Sequence, residues 1–160
     1  MSGFTIRRAV AGDEELVLSL LRELAVYEKI EERFKLTLEA LTRDFLRPAP
    51  LCFCELAHVD SKPIGVMTWY RVYSSFIAAR GIFLEDLYVK PEQRGQGYGR
   101  DLLAHLAKQA VSDGARFIEW QVLDWNKPSI DFYERLGATP LKGWLSYRLG
   151  GDALGDLAQT

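Results

Sequence analysis

The chain has 160 residues, of which 48% are hydrophobic and 26% charged, and its formal net charge is -2. This composition is typical of one globular domain covering residues 1–160, and it excludes the basic excess expected for binding nucleic acid or an acidic membrane. No stretch approaches the roughly 20 apolar residues of a membrane span, and the first ten residues lack the pattern of an export signal. We therefore expect a cytoplasmic protein without nucleic-acid or membrane partners.

In chain order, alternating β-rich stretches predict strands at residues 4–9, 51–59, 63–73, 81–89, 116–123 and 144–149. Apolar residues at helical spacing predict helices at residues 14–28, 38–46, 101–114 and 128–137. The helix boundaries are marked by Asp13, Thr37, Pro128, Gly114 and Gly137. The tail at residues 150–160 is expected to be mobile or a short turn. This order of elements indicates a mixed α/β domain around one sheet.

The chain has only two cysteines and two histidines. Cys52 and Cys54 alternate on a predicted strand and would point the same way, which is poor geometry for a disulfide. We expect them to be small buried side chains in a reducing compartment. His58 and His105 lie far apart and far from any CxxC pair, so the sequence predicts no metal site.

The most informative segment is RGQGYG, Arg94–Gly99, between a predicted strand and a predicted helix. It lacks the lysine of a P-loop and the GxGxxG spacing of a Rossmann fingerprint, but it fits the pattern RxxGxG at every position. Glycines let the backbone approach a pyrophosphate, and amides from Gly95 to Arg100 at a helix start would bind an anion. The alternative is a flexible glycine-rich surface turn, and the flanking strand and helix argue against it.

Residues 88–103, YVKPEQRGQGYGRDLL, resemble the coenzyme A-binding motif of the GNAT superfamily of N-acetyltransferases. Residues 20–29, 84–89 and 122–138 resemble the spermidine/spermine acetyltransferase family, and within it the thialysine acetyltransferase relatives, with a colinear match from about residue 4 to residue 148. The resemblance implies the GNAT fold, a central twisted sheet flanked by helices. It also implies acetyl-CoA as co-substrate, no metal, and a homodimer with each site near the subunit interface.

By this resemblance, the coenzyme would be bound by the glycine-rich loop within residues 89–100, by the preceding strand and by the helix after Asn126. The implied residues are Leu87, Tyr88, Val89, Arg94, Gly95, Gln96, Gly97, Tyr98, Gly99, Arg100, Asn126, Pro128, Ser129 and Tyr133. In the superfamily, a bulge separates the strand from its neighbour and frees amides for the acetyl carbonyl and the pantetheine arm. Asn126 has two possible roles, as the cap of the following helix and as a contact to the pantetheine arm, and it can fill both at once.

Acetyl transfer needs a neutral amine and a proton for the departing thiolate. Glu85 and Asp86 are the candidate bases, although on a regular strand they face opposite sides and only one would enter a cleft. The alternative for both is a solvated strand end. The resemblance places Glu85 in the substrate site as a catalytic group and Tyr133 at the coenzyme sulfur as the general acid. The alternative for Tyr133 is a core aromatic at helical spacing from Ile130 and Leu136.

For the acceptor, the resemblance implies a site built from two segments besides Glu85 and Asp86. The first segment contains Tyr27 and Glu28, and the alternative interpretation of these two residues is an ordinary exposed helix end. The second segment contains Glu119, Trp120 and Gln121. An aromatic ring and acids suit a cationic amine.

Two departures from the polyamine enzymes bear on which amine is used. Ser75 stands where those enzymes carry an acid, and Lys142 where the family has a glutamate. Fewer carboxylates favour a lysine-like amino acid such as thialysine over a polyamine. A polyamine or diamine acetyltransferase, a protein or peptide acetyltransferase, and a non-catalytic acyl-CoA sensor are the alternatives.

Overall fold

The computed structural model describes residues 3–160. The contacts between Cα atoms divide the chain into two compact units, Met1–Leu123 and Asp124–Thr160. The first unit contains a five-stranded sheet with three α-helices, and the second contains two short α-helices.

The sheet of the first unit has the strand order β1-β2-β3-β4-β5. The strands are β1 Phe4–Arg8, β2 Phe53–Val59, β3 Lys62–Ser74, β4 Ala79–Val89 and β5 Phe117–Trp120. The first four are antiparallel neighbours, and β5 runs parallel to β4 after a helical crossover. The predicted mixed α/β fold around one sheet is therefore confirmed.

The α-helices of this unit are α1 Glu14–Tyr27, α2 Leu38–Asp44 and α3 Tyr98–Ser112, and the 3₁₀ turns are Glu31–Arg33 and Pro91–Gln93. The predicted caps are confirmed at two places: the Thr37 hydroxyl accepts from the Ala40 amide at 3.2 Å, and Gly114 follows α3 with φ +71°. α1 packs on one face of the sheet because its apolar stripe meets an apolar row on β2, β3 and β4. The buried contacts join Val17, Leu20, Leu21 and Leu24 of the helix to Cys54, Leu56, Val66 and Tyr88 of the sheet.

The second unit contains α4, Lys127–Arg135, and α5, Asp152–Leu157. The strand predicted at residues 144–149 is wrong, because that segment has no regular secondary structure and the five-stranded sheet of the described residues does not include it. Alternating apolar residues suit a strand, but a strand forms only where a neighbouring backbone supplies the ladder. The tail is also corrected: a short helix follows Gly151, where a turn or mobile end was expected.

Gly65 on β3 marks a place where the backbones of two strands come too close for a side chain. A Cβ atom added there would lie 2.5 Å from the main-chain oxygen of Tyr88 on β4. We expect Gly65→Ala to lower the free energy of unfolding by about 1–3 kcal/mol, because the backbone must shift to relieve the overlap. Thermal unfolding checks this, with Gly150→Ala as the control, since nothing lies within 4 Å of its added Cβ. Equal melting temperatures for the two variants would contradict the expectation.

Candidate active site

A β-bulge at Glu85 shapes the site on β4. Asp86 pairs with Thr68 and Leu84 pairs with Trp69, so Glu85 is the extra residue between two consecutive pairs. The prediction that Glu85 and Asp86 face opposite sides assumed a regular strand, and the bulge interrupts that alternation at Glu85. Both carboxylates act on the same neighbour: burial raises the pKa of the Cys52 thiol to about 12, and the charges of Asp86 and Glu85 contribute to that rise.

Asp86 is half-buried and directly opposite Thr68, whose hydroxyl donates a 2.5 Å hydrogen bond to its Oδ2 atom. Burial raises the pKa of Asp86 to about 6. The hydrogen bond from Thr68 opposes this rise, and the charges of Glu85 and Glu28 add to it. A carboxyl group with a pKa close to neutral is suited to accept and release a proton during a reaction.

Glu28 lies at the C-terminal end of α1 and is half-buried, and desolvation raises the pKa of its carboxyl group. Its charge also contributes to the raised pKa of Asp86. Glu28, Glu85 and Asp86 together form what we call the acidic cluster. Such a concentration of carboxylates is suited to bind a cationic group.

The residues predicted on β5 lie beside this region. Glu119 pairs with Phe83 of β4, which pairs in turn with Tyr70 of β3. Since Tyr70 and Thr68 are two residues apart on β3, the pairing places Glu119 on the same face of the sheet as Thr68 and Asp86. Trp120 pairs with Leu84 on the opposite face, and Gln121 is exposed just after the strand.

The strands β4 and β5 stop pairing where the acidic cluster begins. Their parallel ladder runs from Gly81 and Phe117 to Leu84 and Trp120, and β5 ends there. β4 continues through Leu87 and Tyr88 to Val89. The backbone groups of this stretch that point towards β5 therefore have no partner in the β4–β5 ladder. A bound molecule can form hydrogen bonds with such an edge.

The glycine-rich loop has the backbone of an anion cradle. Gly95 and Gly97 have φ values of +76° and +93°, which side chains with a Cβ rarely adopt. The first helical hydrogen bond of α3 runs from the Asp101 amide to the Gly97 carbonyl at 3.0 Å. The amides from Gly95 to Arg100, with Gln96 and Gly99 among them, therefore precede the ladder of the helix and lie at its positive end.

Arg94 and Tyr98 make contacts within the protein. The Arg94 Nε atom donates to the Val89 carbonyl at 2.9 Å, and its guanidinium carbon lies 4.4 Å from the centre of the Tyr27 ring and 5.7 Å from that of Tyr88. The Tyr98 side chain is buried and stacks on Phe4 with ring centres 4.8 Å apart. Tyr98 is therefore a core aromatic whose backbone, at the start of α3, belongs to the loop.

In the second unit, the cap of α4 is as predicted. The Asn126 side chain accepts from the Ser129 amide at 3.4 Å, and Pro128 lies in the first turn. Tyr133 lies in the last part of this helix, half-buried, with its ring 5.2 Å from that of Phe132.

Sequence reasoning missed three residues of this region. Thr68 becomes significant only because the register places it opposite Asp86. Cys52 becomes significant only because the charges of Asp86 and Glu85 contribute to its raised pKa. Glu23 accepts a 3.0 Å hydrogen bond from the Tyr88 hydroxyl and lies 3.8 Å from the Lys90 ammonium. The only sequence feature that pointed to Glu23 was its spacing of four residues from Tyr27, which places both residues on the same face of α1.

Residues 16–138 match the sequence profile of the Acetyltransferase (GNAT) family. The chain belongs to the GNAT acetyltransferase family. Among curated proteins, this GNAT chain is 38% identical to thialysine N-epsilon-acetyltransferase of Sus scrofa and 39% identical to that of Bos taurus, in each case over 99% of both chains. It is also 34% identical to the human spermidine/spermine N(1)-acetyltransferase-like protein 1, covering 99% of this chain and 24% of that protein. The chain is an N-acetyltransferase, as the sequence predicted.

Solved structures support the fold. An integron cassette protein from the mobile metagenome of V. cholerae superposes with a TM-score of 0.81 at 21% identity, over 98% of both chains. Aminoglycoside N-acetyltransferase AAC(6')-Iy in complex with CoA superposes with a TM-score of 0.70 at 19% identity, over 93% of this chain and 96% of that one. Within residues 3–160, no group of three or more metal-ligating side chains is found. Over the same residues, no helix is long and apolar enough to cross a membrane.

Proposed function

We propose that this chain is a cytoplasmic, homodimeric enzyme that transfers the acetyl group of acetyl-CoA to the primary amine of a small cationic amino acid, with thialysine or lysine as the preferred acceptor. The observation that carries the proposal is the acidic cluster, two of whose carboxylates lie on the strand that leads into the glycine-rich loop. The names of the thialysine acetyltransferase relatives support the acceptor class.

The first step prepares the amine. A primary alkylamine with a pKa near 10.4 is almost entirely ammonium at neutral pH, and forming its neutral state costs about 4.6 kcal/mol. Glu85 is exposed and binds the ammonium, while half-buried Asp86, with a pKa of about 6, takes its proton. Glu28 adds negative charge that favours the cation. Glu85 thus serves as a catalytic group by holding the ammonium for transfer of its proton.

In the second step, the amine nitrogen attacks the thioester carbonyl. Amides of Leu87 to Val89 on the free edge of β4 bind the carbonyl oxygen as negative charge develops on it. The new C–N bond forms, the C–S bond breaks, and Tyr133 donates its phenolic proton to the departing thiolate. The attacking nitrogen, which becomes positively charged on attack, releases a second proton to solvent, and Asp86 returns to solvent the proton that it took from the ammonium. Tyr133 regains a proton from solvent, and the products are the acetylated amine and CoA.

The acceptor preference rests on the two departures from the polyamine enzymes. Lys142 supplies a cation that suits the carboxylate of an amino-acid acceptor, and Ser75 removes an acid that would favour a polycation. In the second candidate, the acceptor is a polyamine or diamine and the mechanism is the same. The resemblance of the chain to the human spermidine/spermine acetyltransferase-like protein favours keeping this candidate.

The homodimer is supported by the hairpin of β3 and β4. Ser75 follows the pair of Ser74 and Ala79, about six residues along the ladder from the pair of Thr68 and Asp86, which corresponds to roughly 20 Å. Ser75 is therefore far from the acidic cluster of its own chain, and a role for it in selecting the acceptor would require the site of a second copy. Large apolar side chains are exposed on the same hairpin, namely Tyr73, Phe76 and Ile77. We expect sedimentation to give a dimer at micromolar concentration, and a monomer would contradict this part of the proposal.

A thiol-release assay with acetyl-CoA tests the reaction and the acceptor together. The panel contains thialysine, lysine, ornithine, putrescine, spermidine, spermine and a lysine peptide. We expect thialysine or lysine to give the highest kcat/KM. A lead by the polyamines would support the second candidate, a lead by the peptide would support a protein acetyltransferase, and no release with any amine would contradict the proposed acceptor class.

A further inference from the structure

Arg94, the first residue of the glycine-rich motif, is held from two sides within the protein. Its Nε atom donates to the Val89 carbonyl at 2.9 Å, which fixes the direction of the side chain from β4. Its guanidinium group lies over the ring of Tyr27, with 4.4 Å between the guanidinium carbon and the ring centre. This distance is well within the range of a cation–π contact.

Tyr27 belongs to α1 and directly precedes Glu28 of the acidic cluster. One face of its ring is occupied by Arg94, so that face is not open to an acceptor ammonium. Tyr88 supports the arrangement from β4: its ring centre lies 5.7 Å from the Arg94 guanidinium carbon, and its hydroxyl donates to Glu23 of α1 at 3.0 Å. The end of α1 is therefore joined to the start of the glycine-rich loop by the stacked Arg94 cation, and α1 is joined to β4 by the Tyr88 hydrogen bond.

We propose that Tyr27 is a positioning residue for the coenzyme loop, which acts through Arg94, and that its ring controls coenzyme affinity. The inference deepens the proposed function and rests on the loop binding the pyrophosphate of CoA. Gly95 and Gly97 have positive φ values and no side chains, and nothing lies within 4 Å of a Cβ added at either, so side-chain packing at these two residues does not hold the loop. Stacking on Tyr27 holds the residue at which the loop begins and lowers the cost of ordering the loop on binding.

The link also has a consequence for the acceptor. Tyr27 and Glu28 are consecutive, so the contact that orders the loop also holds the backbone that carries one carboxylate of the acidic cluster. Coupling between two sites is reciprocal. Bound coenzyme is therefore expected to increase the affinity of the acidic cluster for an amine, and loss of the ring is expected to remove this increase.

Calorimetric titration of the full-length protein with CoA tests the inference. We expect Tyr27→Leu to raise the Kd for CoA roughly 3- to 30-fold, the range that a cation–π contact supplies. Tyr27→Phe is the matched control, because it keeps the ring, and its Kd should stay within about twofold of the wild type. Arg94→Ala should also weaken CoA binding, and the double variant Tyr27→Leu with Arg94→Ala should be no weaker than Arg94→Ala alone, since both changes remove the same contact.

Three results would overturn the inference: an unchanged Kd in Tyr27→Leu, an equal loss in Tyr27→Phe, or multiplicative effects in the double variant. If the leucine variant does not fold, Tyr27→Met provides the same comparison with an unbranched side chain. A wild-type protein that does not bind CoA would overturn this inference and the proposed function together. If the variants show the expected Kd values for CoA but the protein acetylates no amine, only the proposed acceptor class is contradicted.

Discussion

Tyr133→Phe is expected to lower kcat by about 100-fold or more while leaving the Kd for CoA within about twofold of the wild type. Phenylalanine keeps the ring beside Phe132 but has no proton for the departing thiolate. Thiol release measures kcat, and calorimetric titration measures CoA binding.

Tyr147→Phe is the matched control for this prediction, because it removes the hydroxyl of another tyrosine of the second unit, one that is exposed. It should keep full activity. Unchanged turnover in Tyr133→Phe would show that another group protonates the sulfur. If the wild-type protein bound CoA but turned over no amine of the panel, the proposed acceptor class would be contradicted.

Asp86→Asn should lower kcat/KM by roughly 10²- to 10⁴-fold, because asparagine cannot accept the proton of the ammonium. In the wild type, kcat/KM should rise with pH through about 6, the pKa of the Asp86 carboxyl group. The variant should lack this rise. A pH profile of kcat/KM checks both statements, and retention of the rise in the variant would assign it to another group.

Two neighbouring substitutions should move this rise of the pH profile in opposite directions. The hydrogen bond from Thr68 lowers the pKa of Asp86, so Thr68→Val should move the rise to higher pH. The charge of Glu85 raises the same pKa, so Glu85→Gln should move the rise to lower pH. Shifts in the same direction for both variants would contradict the assignment of the rise to Asp86.

The same carboxyl group has a predicted effect on stability. Its folded pKa, about 6, lies above the ordinary aspartate value of 3.8, so the folded state binds the proton more tightly than the unfolded state does. This contribution favours folding below about pH 4 and is lost as pH rises through about 6. Asp86→Asn should therefore increase the free energy of unfolding above neutral pH, by up to about 3 kcal/mol, and should leave it unchanged in acid. Denaturant titrations at the two pH values measure this difference.

Local patterns in the sequence were sufficient for most of the fold. The helical spacing of apolar residues on α1 and the caps at Thr37 and Gly114 depend on neighbours within a few residues, and the structure has them as predicted. The glycine-rich loop could be predicted for the same reason, because glycine is favoured wherever the local backbone has a positive φ angle. The strand predicted at residues 144–149 failed because strand formation depends on a distant partner, which alternation does not reveal.

The site could be predicted in composition but not in arrangement. Glu85 and Asp86 were recognised as candidates, but their relative orientation depends on the register between β3 and β4, and a bulge of one residue changes it. The stacking of Arg94 on Tyr27 joins residues 67 positions apart in sequence, and nothing in either local segment indicates it. Packing between distant segments also determines the raised pKa of Asp86, because burial is its main cause.

The most direct test of the account compares the wild type with one variant that carries Glu28→Gln, Glu85→Gln and Asp86→Asn together. The measurement is kcat/KM for thialysine with saturating acetyl-CoA, with the Kd for CoA determined on the same preparations. The account predicts that the variant loses acetyl transfer while its Kd for CoA stays within about twofold of the wild type, because the acidic cluster binds the amine and the glycine-rich loop binds the coenzyme. Acetyl transfer within about tenfold of the wild-type rate would contradict the assignment of the acceptor site to the acidic cluster.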